Sequence, residues 1–169
     1  RFYYGLLEDM NVNHDETYLY PADFRKSEQD IETERRILNA RNKGGISEKN
    51  ELIKKIAQGL YNMPDLKEFF SGSNGLVVYV PESSEELIRE GVRLHNCLGT
   101  YTDRFASGDT LIFFIRRMED PTAPYVAMEY RNGRVVQCRF DHNVSATGKV
   151  VDFAEALARK LAAMNILAA

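Results

Sequence analysis

Charged and polar residues dominate the first half of the chain, and apolar residues at regular spacing organise the second. From Arg25 to Arg41 the charges alternate in sign with few apolar positions, which predicts a helix with a solvated surface. That helix is expected to start at Pro21 or Ala22. Before it, Tyr18-Leu19-Tyr20 reads as extended, because the residue ahead of a proline avoids the helical region. Lys43-Gly44-Gly45 breaks the helix. Ser47 is expected to cap the next one, which runs through Leu52, Ile53, Ile56 and Leu60 and ends at Met63-Pro64. At the start of the chain, Phe2, Tyr3, Leu6 and Leu7 read as the tail of a helix, and Asn11 to Asp15 as a polar turn.

The pattern changes at Leu76. Leu76 to Val80 is a short β-branched run bounded by Gly75 and Pro81, and reads as a strand. Ser83 and Glu86 form a capping-box signature behind that proline. Leu87, Gly91, Leu94 and Leu98 then recur at three- and four-residue spacing on one helical face, with Gly99 as the expected left-handed stop. His95 and Cys97 are thereby expected in the last helical turn. Leu111 to Arg116 is a continuous apolar run, predicting a strand buried on both faces. Tyr125 to Tyr130 and Val135 to Phe140 flank Asn132-Gly133, which predicts a type I′ hairpin. With that turn Tyr130 opposes Val135, Met128 opposes Gln137 and Val126 opposes Arg139. Gln137 and Arg139 then share a face with Met128, while Val136, Cys138 and Phe140 take the other. Asp152 to Ile166, rich in Ala and Leu, reads as a closing amphipathic helix.

These elements predict an α+β fold: a small antiparallel sheet of about four strands, flanked by helices. A helical N-terminal segment over 1–75 and an α+β core over 76–169 are expected to make one compact unit. A hydrophobic content of 44%, with nine Phe and nine Tyr but no Trp, suffices for a sizeable core. The net charge of -3 provides no basic field for nucleic acid. Between Gly91 and Phe140 seven arginines face five carboxylates, which describes an ordinary mixed surface, and no helix-turn-helix, RNP-like or glycine-rich phosphate signature occurs. Nucleic-acid contact is therefore weakly supported. No apolar run reaches bilayer length and no signal peptide is visible, so a cytoplasmic protein is expected. Two cysteines fit a reducing compartment, with a single Cys97–Cys138 disulfide left open. Arg1 in place of an initiating Met fits a fragment of a longer protein.

The segment Glu85-Glu86-Leu87-Ile88-Arg89-Glu90-Gly91 followed by Leu94-His95-Asn96-Cys97-Leu98-Gly99-Thr100-Tyr101 resembles the PcfJ-like family, whose hallmark is the Leu-His pair. Ile112-Phe113-Phe114-Ile115-Arg116, Pro124-Tyr125 with Glu129, and Gln137-Cys138-Arg139 with Asn143 carry the same resemblance. Upstream, Tyr20-Pro21 with Asp23 and Phe24 is similar to the family's entry motif, with Ser27 and Glu28 where a histidine often stands. Phe140 departs from the glycine usual after the Gln-x-Arg segment, which puts the local backbone in question. Members are encoded by conjugative plasmids, phages and related mobile elements. The resemblance thus implies an accessory or interaction domain, assisting DNA transfer or replication beside the protein partners of a transfer or phage complex.

The rival expectation is an enzyme with a pocket around His95, Tyr101, Gln137 and Arg139, together with Asn143. There Arg139 and Gln137 would recognise an anionic or amide-bearing group and His95 would move a proton. The plainer alternative for His95 is a helix-end residue held by the dipole, which also disfavours a Cys97 thiolate. A papain-like set of Cys97, His142 and Asn143 fails on that ground, since the nucleophile would stand at the wrong helix end. His95-x-Cys97 with Cys138-x-x-x-His142 could be drawn as a zinc set, but its first spacing is too short for usual structural motifs. No metal and no cofactor are expected.

Overall fold

The computed structural model describes Gly5, Leu7, Glu8, Met10 and residues 21–168. The expected turn at Asn11–Asp15, the extended Tyr18–Tyr20 and most of the first helix tail lie outside these. The chain divides into two compact units, 1–46 and 47–169. Among the described residues, no helix is long and apolar enough to cross a membrane.

In the first unit, helix α1 spans Phe24–Asn42. It begins later than the proline suggested because Asp23 takes the cap, its carboxylate accepting from the Lys26 N–H at 3.0 Å. Most of its charges are solvated, as the alternating pattern predicted. Glu32 is the exception: it is buried and held by Arg36 at 2.6 Å and Arg35 at 2.9 Å.

The second unit carries the sheet. Helix α2 spans Ile46–Tyr61, starting one residue before Ser47, and buries Ile53, Ala57 and Leu60 while Leu52 stays exposed. A 3₁₀ turn at Pro64–Leu66 leads into the short helix α3, Lys67–Ser71. Strand β1 (Leu76–Tyr79) is followed by helix α4 (Ser84–Arg93), a 3₁₀ turn at Leu98–Tyr101 and helix α5 (Thr102–Ala106). Strands β2 (Leu111–Arg117), β3 (Val126–Arg131) and β4 (Arg134–Arg139) complete an antiparallel sheet in the order β1-β2-β3-β4. Helix α6 (Lys149–Ala163) closes the unit, packing on β4 with Val150, Phe153, Ala154, Leu157, Ala158 and Leu161 buried. The architecture is α+β as the pattern predicted, with β2 buried on both faces.

The capping box forms with a shifted second arm. Ser83 Oγ accepts from the Glu86 N–H at 3.2 Å, while Glu86 Oε2 reaches past the cap to the Glu82 N–H at 2.8 Å. Ser83 stands in extended conformation at φ -155°, as a capping residue should.

The hairpin turn has the expected type, with Asn132 at φ 51° and Gly133 at φ 75°. Its register departs from expectation. Tyr130 pairs with Val135 as predicted, but Glu129 pairs with Gln137, Met128 with Cys138 and Ala127 with Arg139. Val136 is the extra residue of a bulge, and one extra residue turns every later side chain to the opposite face. Gln137 and Arg139 therefore share a face with Glu129 and Ala127, and Cys138 shares one with Met128.

The hairpin tip also docks on the C-terminal tail, where Asn132 N–H donates to Ala168 O at 3.0 Å and Gly133 N–H to Leu167 O at 3.2 Å. A side chain at Gly133 would meet Leu167 at 3.5 Å from a backbone held at positive φ. Gly133→Val is expected to lower stability by roughly 1–3 kcal/mol, read as a drop in the thermal midpoint.

Candidate functional site

The site begins where α4 stops. The helix ends in a Schellman arrangement: Asn96 N–H donates to Gly91 O at 2.9 Å and His95 N–H to Val92 O at 3.2 Å. The left-handed residue of that arrangement is His95, at φ 47°, and not Gly99. His95 and Cys97 accordingly lie beyond the helix. Gly99 has a packing role: a Cβ there would stand 3.1 Å from Ile88. Gly91 also gives clearance, since its Cβ would meet the Leu98 backbone at 3.2 Å as the chain folds back over the helix. This close return brings Leu98 and Tyr101 over the face of β2, β3 and β4 that carries Ile112, Ala127, Glu129, Gln137 and Arg139.

Between that loop and the sheet lies a cleft of about 310 Å³. It is lined by Asn96, Cys97, Leu98 and Tyr101 on one side and by Ile112, Glu129, Gln137, Arg139 and Asn143 on the other. Four of the five residues expected in one pocket (Tyr101, Gln137, Arg139 and Asn143) are thus brought together. The bulge is what permits it, because the unbulged register would have turned Gln137 and Arg139 to the face of Met128.

A buried polar network forms part of that wall. Gln137 Nε2 donates to Tyr101 Oη at 2.6 Å and to Glu129 Oε2 at 2.7 Å. Glu129, only 4% exposed, also accepts from Thr110 Oγ1 and from Arg104 at 3.2 Å each. The Arg104 guanidinium lies 5.3 Å from the Tyr101 ring centroid. Burial, and then the Glu129 carboxylate, push the Tyr101 hydroxyl above its ordinary range, so it stays protonated near neutral pH. Glu129 is the member that the sequence left unmarked as a site residue. A lone carboxylate inside the apolar Tyr125–Tyr130 strand was the signal, since a buried charge needs partners.

Arg139 is pinned from the other side, donating to Ser145 Oγ and to Asn143 O. Phe140 stands at φ -76°, so nothing here requires the glycine usual in the family; its ring packs on Tyr125 at 5.2 Å.

His95 stands beside the cleft and is not among its lining residues; its chain neighbour Asn96 is. Its Nδ1 lies 2.7 Å from Asp141 Oδ1, and His142 Nδ1 lies 2.9 Å from Asp141 Oδ2. The two imidazoles stack at 4.2 Å with planes 18° apart. Burial is the largest single influence on the Asp141 carboxyl and raises its pKa, but hydrogen bonds from His95 and His142 and the charge attraction of both together outweigh it and hold the carboxyl below its usual value. The strand does not run on regularly to His142: a 3₁₀ turn at Asp141–Asn143 intervenes, with His142 at φ 54°. Both cysteines are free thiols, and they differ in setting. Cys97 is exposed at the cleft, while burial pushes the half-buried Cys138 thiol up to about 11.

A second cleft of about 310 Å³ lies on the other side of α4, lined among others by Tyr61, Arg89, Glu90, Arg93 and Arg116. Its wall holds a buried ion pair, Glu90 Oε2 to Arg116 at 2.5 Å, in which Glu90 Oε1 and Arg116 Nε have no partner.

Comparison with known proteins places this geometry in a family. A stretch of 77 residues, 44% of the chain, is 32% identical to the uncharacterized protein Lin1253/Lin1744 of Listeria innocua serovar 6a. That stretch covers 17% of the relative, so the similarity concerns a small part of a longer protein. No solved structure matches the chain. The profile of the PcfJ-like proteins matches residues 2–151, taking in the post-helix loop, the sheet and the His95–Asp141–His142 cluster, and the chain belongs to the PcfJ-like protein family.

Proposed function

We propose that the sheet-bearing unit is a ligand-binding module for a small molecule with an anionic group. In this reading it serves as an accessory domain of a conjugative-plasmid or phage protein, assisting DNA transfer or replication. One observation carries the ligand-binding reading: the cleft has a pinned arginine, Arg139, beside a pre-bonded Tyr101–Gln137–Glu129 wall. A guanidinium held by its neighbours loses little freedom on binding an anion and offers paired donors to it. Glu129 is matched by Arg104, so the wall does not repel an anion with an unpaired charge. The mobile-element setting rests on the family resemblance alone.

The enzyme reading has its own support in the His95–Asp141 contact, a base and an orienting carboxylate in the arrangement general acid–base catalysis uses. The binding reading accounts for more of the site, because the cleft's polar residues converge without involving His95.

Arg139→Ala in the encoding element tests it. Losing one charge-assisted bond of about 1.5–3 kcal/mol predicts a ten- to hundredfold weaker function, scored as transfer or replication frequency, with the fold intact by circular dichroism. Wild-type frequency from a folded Arg139→Ala protein would refute the binding role of the cleft.

A further inference from the structure

Three side chains outside the cleft lining converge in a way that hydrogen bonding alone does not require. We propose that His95, Asp141 and His142 form a binding site for one divalent transition-metal ion of the zinc type. The inference goes beyond the ligand-binding reading and stands without it.

The chemistry begins with the ligand set. Two imidazoles and one carboxylate suit zinc and its neighbours in the first transition row, whereas magnesium and calcium prefer oxygen donors. One donor atom from each residue lies within 4.8 Å of the other two. Metal–ligand distances of about 2.0–2.1 Å place tetrahedral ligand atoms about 3.3 Å apart, so the closure required is small. Both Nδ1–carboxylate distances, 2.7 and 2.9 Å, are those of hydrogen bonds, and they would open by about half an ångström to admit an ion.

The backbone holds the ligands in this arrangement. His95 belongs to the loop after α4 and His142 to the turn after β4, and the His142 N–H donates to Leu94 O at 2.9 Å, tying the two segments. His95 and His142 both sit at positive φ, 47° and 54°, a conformation that histidine adopts more readily than most side-chain-bearing residues. The stacked rings direct both Nδ1 atoms at the same carboxylate, one to each oxygen. A cation bound there would replace the Nδ1 protons by a single centre, with three protein ligands and further positions left to water or substrate, the pattern of reactive rather than structural zinc. Asn96 and Asn143, the chain neighbours of the two histidines, line the cleft, so the ion would stand at its edge. The cysteines are not needed: among the described residues the ligand cluster holds neither Cys97 nor Cys138.

The test is zinc binding by calorimetry and by metal analysis after dialysis, on the whole chain with Cys97→Ser and Cys138→Ser already introduced. His142→Asn and Asp141→Asn are compared with that background, because asparagine accepts the positive φ of His142 and matches Asp141 in size and shape. Expected are about one zinc per chain in the background protein, a loss of about a hundredfold in affinity in either variant, and no competition from millimolar magnesium. Thermal melts confirm that each variant is folded; should one unfold, His95→Asn replaces it in the comparison. No zinc uptake by the background protein, or undiminished uptake by folded variants, would overturn the site.

Discussion

Arg116→Met is expected to destabilise the protein by about 3–5 kcal/mol at pH 8 and by much less at pH 5. The pH dependence comes from its partner. Glu90 is 4% exposed, and burial raises its carboxyl from 4.5 to about 7 against the opposing pull of Arg116 and Arg93, with Glu86 adding to the rise. Because the folded-state value lies above the unfolded one, this group's stabilisation is complete below about pH 4.5 and is lost as pH rises through about 7. Removing Arg116 at pH 8 strands a buried carboxylate. At pH 5 the same carboxyl is protonated, and only packing and hydrogen bonds are lost, among them those to Thr122 O at 2.9 Å and Pro121 O at 3.3 Å. Urea unfolding of both proteins at the two pH values reads the difference, and equal losses at both would show that Glu90 does not change protonation between them.

The second large effect is expected at Glu129→Leu, at roughly 2–5 kcal/mol. The carboxylate serves Gln137, Thr110 and Arg104 together. Leucine would leave the half-buried Gln137 amide and the buried Thr110 hydroxyl without this acceptor, at about 1–3 kcal/mol for a fully buried donor. Thr110 retains Tyr130 O at 3.2 Å and Gln137 retains Tyr101, which keeps the sum below its ceiling. Glu129→Gln should cost less, since an amide oxygen still accepts. Chemical denaturation separates the two variants; a neutral Glu129→Leu would mean that the network contributes nothing net to the fold.

Much of the fold was legible because its signals are local. The Ser83–Glu86 cap, the Asn132-Gly133 turn and the apolar run of β2 each declare themselves within a few residues. What failed was non-local. A bulge at Val136 has no signature in its own residue type, yet it reversed the faces of Gln137, Cys138 and Arg139. The helix stop was assigned to Gly99 because glycine is the usual left-handed residue, and the structure uses His95 instead. The candidate site followed the same division. Tyr101, Gln137, Arg139 and Asn143 line one cleft, although through a register other than the one the turn alone predicts. The partners of His95 are not legible locally, because Asp141 and His142 lie far from it in sequence and only the turn after β4 brings both onto that imidazole.

The central claim is that the cleft binds an anion through Arg139 within a preformed wall. Titrating labelled protein with inorganic phosphate and with a short-chain dicarboxylate, and following backbone and side-chain N–H shifts by NMR, tests it most directly. Saturable shifts are predicted at Asn96, Tyr101, Gln137, Arg139 and Asn143 for at least one of the two anions, and they should vanish in folded Arg139→Ala protein. Shifts that are absent, that never saturate, or that persist unchanged without Arg139 would contradict it.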